Sequence, residues 1–191
     1  KGTLSLWFRD VEWSGDIRLQ LESRAKEIST ARVIRLNVAR RKKLDQWYAA
    51  ARREASEQFA SYRNSALFIA GISLYWGEGD KSKRGIVRMS NVDPRMIDVF
   101  VRFLKIICAV PSEKIRAYVL LYPDLDPNTC ERYWIRRSGL RKGNFTNPVV
   151  IQGRHKTRRL RYGVCVVGTT SMYLKEKVHT WTNLMARELK M

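Results

Sequence analysis

No apolar run in these 191 residues approaches the roughly 20 needed to span a bilayer, so nothing in the sequence points to a transmembrane helix. Cysteine is scarce. Cys108, Cys130 and Cys165 make an odd number, and their spacing suits no metal. Each lies in an apolar or helix-prone stretch, which predicts buried free thiols and a reducing, cytoplasmic (nucleoid-associated) setting rather than a disulfide framework. Only two histidines occur, His155 and His179, and neither has a cysteine at zinc-ligand spacing, which argues against structural zinc. Proline is absent before Pro94, and glycine is absent between Gly15 and Gly71. Nothing local therefore interrupts a helix from Asp16 to Tyr62. The chain opens at Lys1 without Met or a signal-peptide pattern, and further residues are expected upstream.

Acidic residues are the last shortage: 18 Asp and Glu stand against 37 Lys and Arg, a net charge of +19. A compact state so charged repels itself, and a polyanion relieves that repulsion while releasing condensed counterions. An anionic membrane would also accept the charge, but neither an amphipathic basic helix nor a lipidation signal is evident. With 45% apolar and 10% aromatic residues the chain can bury a core, so it is no disordered basic tail. The expected partner is nucleic acid, double-stranded DNA first.

Three segments follow from the patterning. Residues 1–15 form a short apolar helix candidate, with Leu4, Leu6, Trp7, Phe8 and Val11, ending near Trp13-Ser14-Gly15. Residues 16–63 are a charged helical extension holding the cluster Arg40-Arg41-Lys42-Lys43 ahead of Trp47 and Tyr48. That cluster suits a solvated linker helix and a phosphate-tracking helix equally. Residues 64–191 read as an α+β domain: a helix capped by Ser65, a strand over 85–90, a helix begun by Asp93-Pro94 and reaching Ile107, and a strand over 114–122. A helix over 127–137, strands over 148–152 and 162–169, and a last helix over 171–190 complete it. The expectation is four strands and four helices, with helices packed on one face of the sheet.

The segment Ala66 to Asp80 carries the chemistry. On a helix, Ala66, Ala70, Ser73 and Gly77 share one face, a stripe of small residues that lets two helix backbones approach closely. Glu78 follows between two glycines, and then Asp80. Carboxylates at a helix C-terminus oppose the macrodipole, by about 0.3–1 kcal/mol each, so a cation should offset them. Lys81, Lys83 and Arg84 can do so, and so can a divalent metal ion.

Gly71-Ile72-Ser73-Leu74-Tyr75-Trp76-Gly77-Glu78-Gly79 resembles the LAGLIDADG motif of homing endonucleases. Ser73 falls at the family's close-packing glycine, Gly77 at its small residue, Glu78 at its metal-binding acid and Gly79 at its closing glycine. Trp76 stands where the motif has its first acid. Residues 64–190, with Ser90-Asn91-Val92-Asp93-Pro94-Arg95-Met96-Ile97 after the motif, are similar to LAGLIDADG-like domains of bacterial proteins, and Thr3 to Val11 looks like the end of an upstream helix-turn-helix.

The resemblance implies a LAGLIDADG-like unit, a mostly antiparallel four-stranded sheet lying over DNA and covered by helices, preceded by a helical N-terminal extension. It also implies a homodimer through Ala66, Ala70, Ser73 and Gly77 that reads a near-palindromic site. Arg88, Arg116, Tyr118 and Gln152 become base-contact candidates on the exposed strand face. Arg154, Lys156, Arg158, Arg159 and Arg161, with Arg136, Arg137, Arg141 and Lys142, are expected to hold phosphates. Glu78 of each chain, with Gly77 and Asp80 beside it, would hold Mg²⁺ for phosphodiester hydrolysis. The alternative is a regulator on the same scaffold that binds without cutting. An RNA-binding role ranks last, because no RNP aromatic pattern occurs.

Overall fold

A computed structural model describes residues 7–8, 11–82, 85–151 and 160–190. The chain divides into two compact units, Lys1–Trp47 and Tyr48–Met191. Helix α1 (Glu12–Tyr62) is 51 residues long and runs straight through Gly15, where a break and a segment boundary were expected. One helical glycine costs about 1 kcal/mol relative to alanine, too little to stop a run with no other breaker. The recognition-helix candidate Thr3–Val11 lies largely outside the described residues. The last turns of α1, from Tyr48, belong to the second unit. Ala51, Ala55, Phe59 and Tyr62 recur along one helix face: the two alanines are fully buried, and Phe59 and Tyr62 pack against the core.

Beyond α1 come α2 (Ala66–Glu78), β1 (Ile86–Asn91), α3 (Pro94–Arg102), β2 (Arg116–Leu121), α4 (Pro127–Arg137), β3 (Val149–Val150), β4 (Val164–Thr170) and α5 (Met172–Glu188). Their starts are written in the sequence. Ser65 accepts from the Phe68 N–H, Asp93 from Arg95, Asp126 from Thr129 and Ser171 from Leu174, each satisfying an amide that a helix start leaves unpaired. One expectation fails in detail: the helix predicted to reach Ile107 ends as α at Arg102 and widens into a π turn over Phe103–Ile107. Phe103 there lies against Gly71 of α2, where an added Cβ would come within 2.2 Å of its ring. Gly71 is thus the glycine that admits a close approach inside the unit.

The sheet has the order β1-β4-β2-β3. β4 is antiparallel to both β1 and β2, and the two-residue β3 is parallel to β2. The unit is α+β, a mostly antiparallel four-stranded sheet covered by helices. Alternation along the strands sends Val87, Met89, Ala117, Val119, Leu121, Cys165 and Val167 into a core shared with Phe68, Ile72, Phe100, Trp134 and Trp181. Cys130 and Cys165 are buried free thiols, and burial pushes the Cys165 thiol up to about 12. Cys108 is half-buried and also free. Among the described residues no helix is long and apolar enough to cross a membrane.

Candidate nucleic-acid interface

The strand positions that alternate away from the core form the uncovered face of the sheet. In the register, Arg88 of β1 and Arg116 of β2 both sit opposite Gly168 of β4, and Ser90 and Tyr118 both sit opposite Val166. Two arginines and a tyrosine thus flank a central strand that bears no side chain at Gly168. A Cβ on Gly168 would lie 2.3 Å from the Val87 carbonyl and 2.4 Å from the Arg88 Cβ, so the position admits only glycine. The result is a shallow groove of about 450 Å³ lined by Ile86, Arg88, Arg116, Tyr118, Gly168 and Thr170, among others. Lys114 and Glu113 also line it.

The two arginines differ. Arg88 is held: its Nε and Nη2 reach Asp80 Oδ2 at 3.0 and 2.8 Å, and its Nη1 lies 3.4 Å from the Tyr118 hydroxyl. Arg116 is exposed and has no ion pair among the described residues. Of the other base-contact candidate, Gln152, nothing is described, and the same holds for Arg154, Lys156, Arg158 and Arg159. Arg161 is described, beside Tyr162.

At the end of α2 the chain turns into the sheet. The Gly79 N–H donates to the Tyr75 carbonyl, and the Asp80 N–H to the Arg88 carbonyl, both at 2.9 Å. Gly79 is required here, since a Cβ would stand 2.3 Å from the Tyr75 carbonyl oxygen. Lys81 donates to the Trp76 carbonyl at 2.5 Å, supplying the cation expected at this helix end. Glu78 is exposed, and its carboxylate has no partner among the described residues. Asp80 is occupied: Oδ1 accepts from the Ser82 N–H and hydroxyl, and Oδ2 from Arg88.

A cation absent from the sequence reading lies beneath. Lys175, in the first turn of α5, donates to the Tyr75 hydroxyl at 2.5 Å and to the Asp80 carbonyl. Tyr75 also donates to that carbonyl, at 3.1 Å. Burial lowers the Lys175 pKa, and burial followed by the Asp80 charge pushes Tyr75 up to about 12. Exactly one hundred positions separate these partners, and no local pattern announces such a pair. Gly168 did carry a local signal, a glycine inside a strand pattern.

The small-residue stripe faces solvent. Ala66, Ser73 and Gly77 are exposed and Ala70 is half-buried, while Phe68, Ile72 and Tyr75 on the other side of α2 enter the core. Nothing comes within 4 Å of a Cβ built on Gly77. With Met96 and Val99 of α3, three residues of the stripe, Ala70, Ser73 and Gly77, line an open, mostly apolar groove of about 560 Å³ whose wall includes Glu78.

Could these residues hold a divalent ion? Among the described residues no three of His, Cys, Asp and Glu gather. At the end of α2 the described residues give one carboxylate without a partner, Glu78, so the donor set there fits a metal only where a second chain brings its own Glu78 alongside. Arg40, Arg41, Lys42 and Lys43 lie exposed on α1 within the first unit, described apart from the second. Arg136 and Arg137 close α4, and Arg141 and Lys142 are exposed just beyond it. No family model, no curated protein and no solved structure matches the chain.

Proposed function

We propose that this protein binds double-stranded DNA sequence-specifically through the uncovered face of its sheet, as a homodimer joined along the α2 stripe. One observation carries the reading: Arg88, Arg116 and Tyr118 converge from two strands around the bare backbone of Gly168. Arginine donors fit the guanine edge in the major groove as a pair. Arg88, oriented by Asp80, would then be the fixed contact and Arg116 the adaptable one. The net charge of +19 supplies the sequence-independent attraction to phosphates.

The same geometry supports endonuclease activity of the LAGLIDADG type. Two chains meeting at Ala66, Ala70, Ser73 and Gly77 would bring two Glu78 carboxylates together beside the groove. Mg²⁺ bound there would polarise a phosphate and lower the pKa of water for in-line attack. This chain's part is to hold Glu78 in place, through the Gly79 and Asp80 backbone bonds and the Tyr75–Lys175 contacts below them. A second reading, a non-cleaving regulator on the same scaffold, is favoured by Trp76, an exposed indole where the family motif has its first acid.

The test is incubation with a randomised duplex library in Mg²⁺, with EDTA and Glu78→Gln controls, sequencing bound and cut products. Cuts at one site that vanish in both controls establish the nuclease. A selected motif with intact strands throughout establishes the regulator. Binding without sequence preference contradicts both.

A further inference from the structure

We propose that the outer surface of α4 and the turn before β4 form a second nucleic-acid contact, a clamp for a phosphodiester of the backbone, built on a stack of two tyrosines and two arginines. The proposal rests on the DNA-binding reading and adds to it a site separate from the sheet face. Tyr133 of α4 and Tyr162 stack with ring centroids 3.7 Å apart and planes 7° from parallel. The Arg137 guanidinium lies over the Tyr133 ring, 4.9 Å from its centroid, and that of Arg161 over Tyr162 at 5.5 Å. One face of each ring is taken by the other ring, so each guanidinium covers the face that remains. The stack is anchored from below: the buried Trp134 meets Tyr133 edge-on and donates its indole N–H to the Tyr162 carbonyl at 2.8 Å. Gly163, at φ +68, makes the turn that holds Tyr162 there, and a Cβ on it would strike the Leu120 carbonyl.

Stacking decides the ligand class. Both ring faces are covered, so the tyrosines offer no platform for a base. A guanidinium lying over a ring still carries its N–H donors in one plane, where they match two phosphate oxygens. Arg132 and Arg136 stand on the same helix around a hollow of about 580 Å³. Among the described residues none of these four arginines has a carboxylate within ion-pair distance; the Arg132 guanidinium reaches only the Thr129 hydroxyl, at 3.4 Å. Cations in the last turn of a helix favour its dipole, which accounts for Arg136 and Arg137. It accounts neither for Arg132 a turn earlier nor for Arg161 on another segment. From Val164, beside this turn, to Gly168 in the groove is four strand residues, roughly 13 Å at about 3.3 Å each.

The full chain and its Arg137→Gln/Arg161→Gln variant are titrated with the selected duplex across a salt series. Arginine side-chain NH signals of the wild type are followed with an abasic deoxyribose-phosphate oligomer, which has phosphodiesters and no bases. The double variant should bind all duplex sequences more weakly by the same factor, with the log–log salt slope reduced by about 0.9 for the one phosphate no longer held. Saturable shifts of the Arg137 and Arg161 signals by the abasic oligomer are the second expected result. If duplex binding by the wild type moves only Arg88 and Arg116, and the variant keeps its slope, the clamp is wrong and the DNA-binding reading stands. A wild type that binds neither duplex nor oligomer overturns both. Shifts of the same signals by phosphatidylglycerol vesicles, with none by the oligomer, assign the stack to lipid headgroups and overturn the proposal.

Discussion

Between Glu12 and Trp47, helix α1 carries Ile17, Leu19, Leu21, Ile28, Val33, Ile34, Leu36 and Val38, and every one is largely exposed. Between Tyr48 and Tyr62 the same helix has fewer large apolar residues, yet Ala51 and Ala55 are fully buried and Phe59 and Tyr62 pack on a core. The contrast lies in arrangement. At about 100° per residue the first set is scattered around the helix axis, whereas the second recurs at three- and four-residue steps and presents one stripe. Helix formation needs only good formers and no breaker; burial needs a face. A long helix can therefore satisfy the first condition throughout and the second along part of its length.

The largest test of that contrast replaces one large side chain in each region. Trp181 is fully buried, packs edge-on against Phe68, Tyr62 and Phe103, and donates its indole N–H to the Ala55 carbonyl at 2.9 Å. Trp181→Ala should lower stability by about 3–5 kcal/mol, while Ile28→Ala should stay within about 0.5 kcal/mol. Urea titration followed by circular dichroism reads both, and comparable losses would mean that Ile28 is covered in solution.

Glycine gives a subtler pair. Gly71→Ala would place a methyl 2.2 Å from the Phe103 ring and should cost about 1–3 kcal/mol. Gly15→Ala meets nothing within 4 Å and should strengthen the helix by about 0.5–1 kcal/mol, seen as slower amide exchange around it. If both substitutions act with the same sign, the close approach at Gly71 is not what fixes that residue.

The smallest effect concerns the seam between α1 and α5. The Glu54 carboxylate accepts from Lys177 at 2.7 Å, Tyr173 at 2.6 Å and Gln58 at 3.0 Å, and these bonds, that of Lys177 foremost, hold its pKa below the ordinary 4.5. A depressed carboxylate stabilises the fold above its ordinary pKa, and that contribution disappears as pH falls through the folded value. Denaturation at pH 7 and below pH 4 should therefore show Glu54→Gln less stable than wild type at neutrality and level with it in acid. The group is partly exposed, so the difference is modest. A gap that persists in acid would point to lost packing instead.

Much of the fold was legible because its signals are local. Ser65 and Asp93-Pro94 announced two helix starts, and alternation announced β2 within two residues at its start and one at its end. The stripe Ala66, Ala70, Ser73 and Gly77 was recognised as one face, and that face is solvent-facing within the single chain. What was missed is non-local. Lys175 meets Tyr75 across the unit, and Tyr133 meets Tyr162 through a turn set by Gly163; in neither case does the spacing in sequence carry the contact. The break placed at Gly15 failed for the opposite reason, a local signal outweighed by the helix on both sides.

Arg116 bears most directly on the sheet face as the reader of DNA, because it is exposed, central and without an ion pair among the described residues. Competition binding of Arg116→Ala against the selected site and against single-base variants of it measures this. The account predicts a loss of about 1–3 kcal/mol in discrimination at one base pair, with much smaller changes at the others. Unchanged discrimination at every position, in a variant that binds the selected site as tightly as wild type, would contradict it.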